Sequence, residues 1–84
     1  MKIKVLGPGC MKCHKLFAEA EKAVALAGVQ AEIEKVDKIQ EIMAFGVMMT
    51  PAIVIDGEVK CAGRVPQAAE IVPWITTAAS KEHT

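Results

Sequence analysis

Eighty-four residues, about half of them apolar and a quarter charged, suffice for one small folded domain and exclude a second, as they exclude a disordered or fibrous chain. Ten Lys and Arg residues balance ten Asp and Glu, so no net field draws the protein to nucleic acid or to an anionic membrane, and neither is an expected partner. Three cysteines, two of them separated by two residues, do not make the spread framework that staples small secreted domains, which leaves redox or metal chemistry.

Lys2 to Leu6 alternates basic and aliphatic residues and stops at Gly7-Pro8-Gly9, which predicts a first strand ending in a turn. No signal-like apolar stretch develops before that turn, and no later run has membrane length, so a cytoplasmic protein is expected. From Cys10 the apolar positions Cys13, Leu16, Phe17, Ala20, Val24 and Ala27 recur at helical spacing, while Lys12, Lys15, Glu19 and Lys22 share another face. This is the pattern of an amphipathic helix, ended by Gly28. Val29 to Val36 holds a second short strand centred on Ile33. Asp37 is the expected N-cap of a helix that turns Ile39, Ile42 and Met43 to one side and closes at Gly46.

Val47 to Pro51 reads as a loop and Ala52 to Ile55 as an aliphatic strand, β-branched after its first residue. Asp56-Gly57 supplies the two-residue turn of a hairpin that returns through Glu58 to Gly63. Pro66 suits the first position of a last helix, with Ala69, Val72 and Ile75 or Trp74 inward, and Pro73 predicts a kink or restart near Val72. The expected order is βαβαββα, an α/β domain over 1–79 followed by a flexible tail at 80–84.

The chemistry concentrates in Cys10-Met11-Lys12-Cys13. Residues three apart on a helix share a face, so the two thiols can bond across a first turn. Cys10 stands at the turn, where unpaired amide hydrogens and the helix dipole favour a thiolate, and Lys12 adds a nearby positive charge. Cys13 falls on the apolar stripe and is expected to be the more buried thiol. That asymmetry makes Cys10 the attacking residue and Cys13 the resolving one.

Spacing alone leaves other readings open. Two unrelated core cysteines would have the same pattern. A soft-metal carrier for copper or zinc could use Cys10, Cys13 and Cys61, with Met11 and His14 as further donors. Such carriers place their elements in a βαββαβ order, however, whereas here a helix precedes the hairpin. Cys10 to His14 also matches a haem-attachment spacing, but that chemistry accompanies export, and the apolar helix residues are needed to cover a sheet.

Two motifs carry a resemblance to a known family: Gly7-Pro8-Gly9-Cys10-Met11-Lys12-Cys13 at a strand-to-helix turn, and Thr50-Pro51 before a strand and its Asp56-Gly57 hairpin. On these the whole ordered chain resembles the small thioredoxin- and glutaredoxin-like proteins, in particular the compact redox-active disulfide group. The resemblance implies a minimal thioredoxin fold, a four-stranded mixed sheet with the first and third helices on one face and the second on the other. It implies a cis Thr50–Pro51 bond against the disulfide, with the Thr50 backbone pairing with a substrate chain as an added strand. It further implies a monomer that needs no cofactor or metal, exchanges thiols with protein disulfides, and is recycled by a thioredoxin reductase or a low-molecular-weight thiol. The sequence departs from thioredoxin proper in lacking a Trp before Cys10, in its Met-Lys dipeptide, and in offering no acid within Lys2 to Leu6.

Further candidates surround these motifs. Met48 and Met49 are expected to form an adaptable apolar patch for protein substrates, with at least one of them in the core. Gly63 reads either as leaving room for a substrate or for glutathione or as a simple bend. Counting back from the hairpin turn puts Cys61 opposite Ala52, on the same strand face as Val59, where it reads first as a small buried hydrophobe and second as a third thiol. Trp74 reads as a packing residue and His14 as solvent-facing.

Overall fold

A computed structural model describes residues 1–9 and 11–82, with side chains described as far as residue 80. The elements are β1 (Lys2–Leu6), α1 (Met11–Ala27), β2 (Glu32–Val36), α2 (Ile39–Ala44), β3 (Ala52–Ile55), β4 (Glu58–Ala62) and α3 (Ala68–Glu82). They build one mixed sheet in the order β2-β1-β3-β4. The connection through α1 is long enough to set β2 parallel to β1, while β3 runs antiparallel to β1 and, across a two-residue turn, to β4. Asp56 and Gly57 take the positive φ values, 49° and 83°, that such a turn requires, and Asp56 Oδ1 accepts the Lys2 backbone N–H at 2.9 Å.

Alternation along β1 sends Ile3 and Val5 to one face and Leu6 to the other. On the first face α1 contributes Leu16, Ala20 and Ala23 and α3 contributes Ala68, Ile71 and Ile75, packed on Ile3, Val5, Ile53 and Ile55. On the second, α2 sets Ile42 beside Val36 and Val47, over Leu6, Ala52 and Val54. All four residues of β3 are buried because both of its faces are covered, and this explains why the strand reads as an unbroken aliphatic run. A fully buried Ile or Leu contributes about 1.5–3 kcal/mol, so the loss of any one of them removes a large share of the roughly 5–15 kcal/mol by which a domain is stable. Both sheet edges are guarded: Glu32, Glu34 and Lys35 line β2, and β4 carries a bulge. Among the described residues no helix is long and apolar enough to cross a membrane.

Four expectations need correction. α2 is capped by Lys38 rather than Asp37, without a side-chain hydrogen bond, and Ile39 and Met43 are two-thirds exposed. A helix of less than two turns meets the sheet at one point, and Ile42 takes it. α3 starts later than Pro66: the Gln67 carbonyl accepts the Glu70 and Ile71 N–H groups, so the buried stripe is Ala68, Ile71 and Ile75, with Ala69 exposed and Val72 and Trp74 half-buried. α3 also runs through Pro73 without a restart and ends at Glu82, within the 80–84 segment whose last two residues lie outside the described residues. The acceptor that Pro73 leaves over is the carbonyl of exposed Ala69, where water can replace the missing N–H. Finally, β4 pairs Val59 with Val54 but Cys61 with Ile53, Lys60 being the extra residue of a bulge. Cys61 therefore lies opposite Ile53, not Ala52. It shares the face of α1 and α3, and Val59 is on the other.

Candidate active site

Because β1 and β3 are antiparallel neighbours, the end of one lies beside the start of the other, and Leu6 pairs with Ala52. The residues just outside that pair, Gly7 and Pro51, are thereby brought together. Gly7 is buried and its N–H donates to the Val36 carbonyl at 2.9 Å, which continues the β1–β2 ladder by one residue. α1 then turns Cys13 inward to 1% exposure. A Cβ added to Gly7 would fall on the Cys13 Sγ, 3.1 Å from Cys13 Cβ and 4.0 Å from Pro51 Cα. The buried sulfur thus occupies the space that glycine leaves, with the proline loop beside it.

Pro51 is buried, and the Thr50–Pro51 peptide bond is cis. The Pro51 carbonyl accepts the Gly63 N–H at 2.9 Å, tying the loop to the end of β4. Gly63 has φ 87°, and a Cβ there would stand 3.3 Å from Met49 Cβ and Cε and 3.4 Å from its Sδ. Met49 therefore lies over the bare glycine backbone while remaining 63% exposed, and Met48 is 98% exposed. The expectation that one of the two methionines is core is corrected: Val47 takes the buried place in this loop. Thr50 is exposed beside them.

The fold thus gathers Cys13, Thr50, Pro51, Met49 and Gly63 at one end of the sheet. Cys10 lies outside the described residues. Lys12 and Met11 are exposed on the first turn of α1, and His14 is exposed next to Cys13, its Nδ1 accepting a long hydrogen bond from Lys35 Nζ at 3.4 Å. Cys61 is half-buried and within electrostatic reach of Arg64. The Arg64 guanidinium is held above its ordinary range first by its hydrogen bond to Glu70, at 2.8 Å, and then by electrostatic interaction with Cys61 and Glu70. Among the described residues, no buried side chain is polar or charged, in keeping with a β1 that contains no acid, and no group of three His, Cys, Asp or Glu residues could hold a metal ion. Gly7 is the site residue that sequence reasoning missed, because in Gly7-Pro8-Gly9 it looks like one more turn residue. Its one distinguishing mark is its place directly after the buried end of β1.

The family described as "Thioredoxin domain" matches residues 1–76. The chain belongs to the thioredoxin family. It is 39% identical over 71 residues to a protein named thioredoxin from Methanothermobacter thermautotrophicus, an alignment covering 84% of this chain and 92% of that protein. It is 36% identical over 69 residues to a protein of the same name from Methanocaldococcus jannaschii, covering 82% and 79%. The helix placement agrees with the resemblance noted above, α1 and α3 lying on one face of the sheet and α2 on the other.

Proposed function

We propose that this thioredoxin-family chain is a thiol–disulfide oxidoreductase that exchanges a Cys10/Cys13 dithiol with the disulfides of protein substrates. The observation that carries this reading is the Cys13 thiol, buried to 1% exposure against Gly7 beside the cis Thr50–Pro51 loop. A sulfur so placed cannot meet a protein disulfide arriving from solution, but it can react with a substrate already joined to Cys10. Cys10 therefore attacks, helped by the positive end of α1 and by Lys12, and forms a mixed disulfide. Cys13 then displaces the reduced substrate. The Thr50 backbone pairs with the substrate chain as an added strand, Met48 and Met49 supply an adaptable apolar contact, and bare Gly63 lets the chain approach. The oxidised protein is returned to the dithiol by a reductase or a low-molecular-weight thiol, in a cytoplasmic setting.

The roles are tested by trapping. Cys13→Ser is expected to accumulate a covalent adduct with an oxidised protein substrate, seen as a reductant-sensitive mass increase, whereas Cys10→Ser accumulates none. Equal trapping by the two variants would overturn the assignment.

A further inference from the structure

We infer that Gly7 is a positioning residue for the second half of the exchange: its missing side chain provides the space in which the Cys13 sulfur is held. The inference rests on the dithiol reading above. Gly7 cannot easily retreat, since it is buried and its N–H is bonded to Val36 on the neighbouring strand. A Cβ at this position falls on the Cys13 Sγ, with Pro51 Cα 4.0 Å from it on another side. Cys13 is helical, so the rotamer that would drive its sulfur into the preceding turn is disfavoured. An added methyl group must therefore either turn the sulfur away or push the first turn of α1 off the sheet. In the step concerned, the Cys13 thiol gives its proton to solvent and the thiolate attacks the Cys10 sulfur of the mixed disulfide. The Cys10–Cys13 bond forms, the bond to the substrate sulfur breaks, and the departing thiolate takes up a proton. Over both steps two electrons pass from the protein dithiol to the substrate disulfide. The attack needs the Cys13, Cys10 and departing substrate sulfurs in line, and a displacement of about 1 Å can cost on the order of 100-fold in rate.

An aromatic disulfide, 5,5′-dithiobis(2-nitrobenzoate), separates the two steps when it is mixed with reduced protein at one equivalent, because each step releases one coloured thiolate. With Cys61→Ala in every sample to silence the third thiol, Gly7→Ala is expected to leave the first release within about two-fold and to slow the second by about 10- to 100-fold. Equal slowing of both releases, or an unchanged second release, overturns the inference. If the protein with Gly7 intact gives one release only, dithiol exchange itself fails and the inference falls with it. Should Gly7→Ala fold poorly, its effect on melting temperature is measured again in a Cys13→Ala background, where the obstructing sulfur is gone. Recovery of most of the loss supports the inference, and a loss of the same size in both backgrounds overturns it.

Discussion

Replacing Gly63 with alanine tests how the Thr50–Pro51 loop is held. At φ 87° an L side chain is strained, and a left-handed backbone costs a non-glycine residue about 1–2 kcal/mol. The new methyl group also meets Met49 atoms at 3.3–3.4 Å, closer than comfortable contact. Met49 is unbranched and 63% exposed, however, so its Sδ and Cε can turn aside for about 0.5 kcal/mol while its Cβ gives by a few tenths of an ångström. The backbone therefore dominates, and the sum is about 1.5–2.5 kcal/mol. In a domain of this size 1 kcal/mol shifts Tm by roughly 4–8 °C, so a fall of roughly 6–20 °C is expected, read by circular dichroism on heating. Repeating the substitution in Met49→Ala apportions the two causes: a coupling of about 0.5 kcal/mol should appear, leaving most of the loss in place. Full recovery in the Met49→Ala background would refute the reasoning, because the strain would then lie in the side-chain contact. A fall below about 3 °C would refute it as well.

Two further substitutions probe the helix and the site rim. Pro73→Ala restores a backbone donor inside α3 and is expected to stabilise the domain by about 1–3 kcal/mol, seen as a higher urea midpoint at unchanged slope. A lower midpoint would show that Pro73 contributes more by packing than it costs in hydrogen bonding. Met48→Ser removes a side chain that is 98% exposed, so Tm should not move. Its KM for a protein disulfide should rise while that for a small aromatic disulfide stays level; parallel changes for both substrates would remove Met48 from substrate docking.

The sequence made the layered fold and much of the site legible, for reasons that differ from one element to the next. β1 and α1 were readable because each carries its own periodicity, and β3 because it is an unbroken aliphatic run, each with its own stop signal, at Gly7, Gly28 and Asp56. The Asp56-Gly57 turn was readable because few residue pairs accept two consecutive positive φ values. The bulge at Lys60 was not, since Val59-Lys60-Cys61 continues a regular alternation and the shift is decided by pairing with β3. α2 misled because Ile39 and Met43 are apolar by composition, whereas burial depends on how many turns of helix reach the sheet. The start of α3 was misplaced because Pro66 is as compatible with a buried approach to a helix as with its first turn. Gly7 escaped notice because a residue whose role is to leave space has no pattern of its own.

The seam between β1 and β3 has a consequence for how the chain can be divided. One wall of the site follows β1 and the other precedes β3, and they are brought together where Leu6 pairs with Ala52. A peptide ending at α2 would carry the Cys10-Met11-Lys12-Cys13 segment without its proline loop, and the complementary peptide would carry the loop without the thiols. Neither half could assemble the pocket by local folding. The site thus appears only when two remote parts of the chain dock, so the reactivity of its buried thiol reports on completion of the sheet itself.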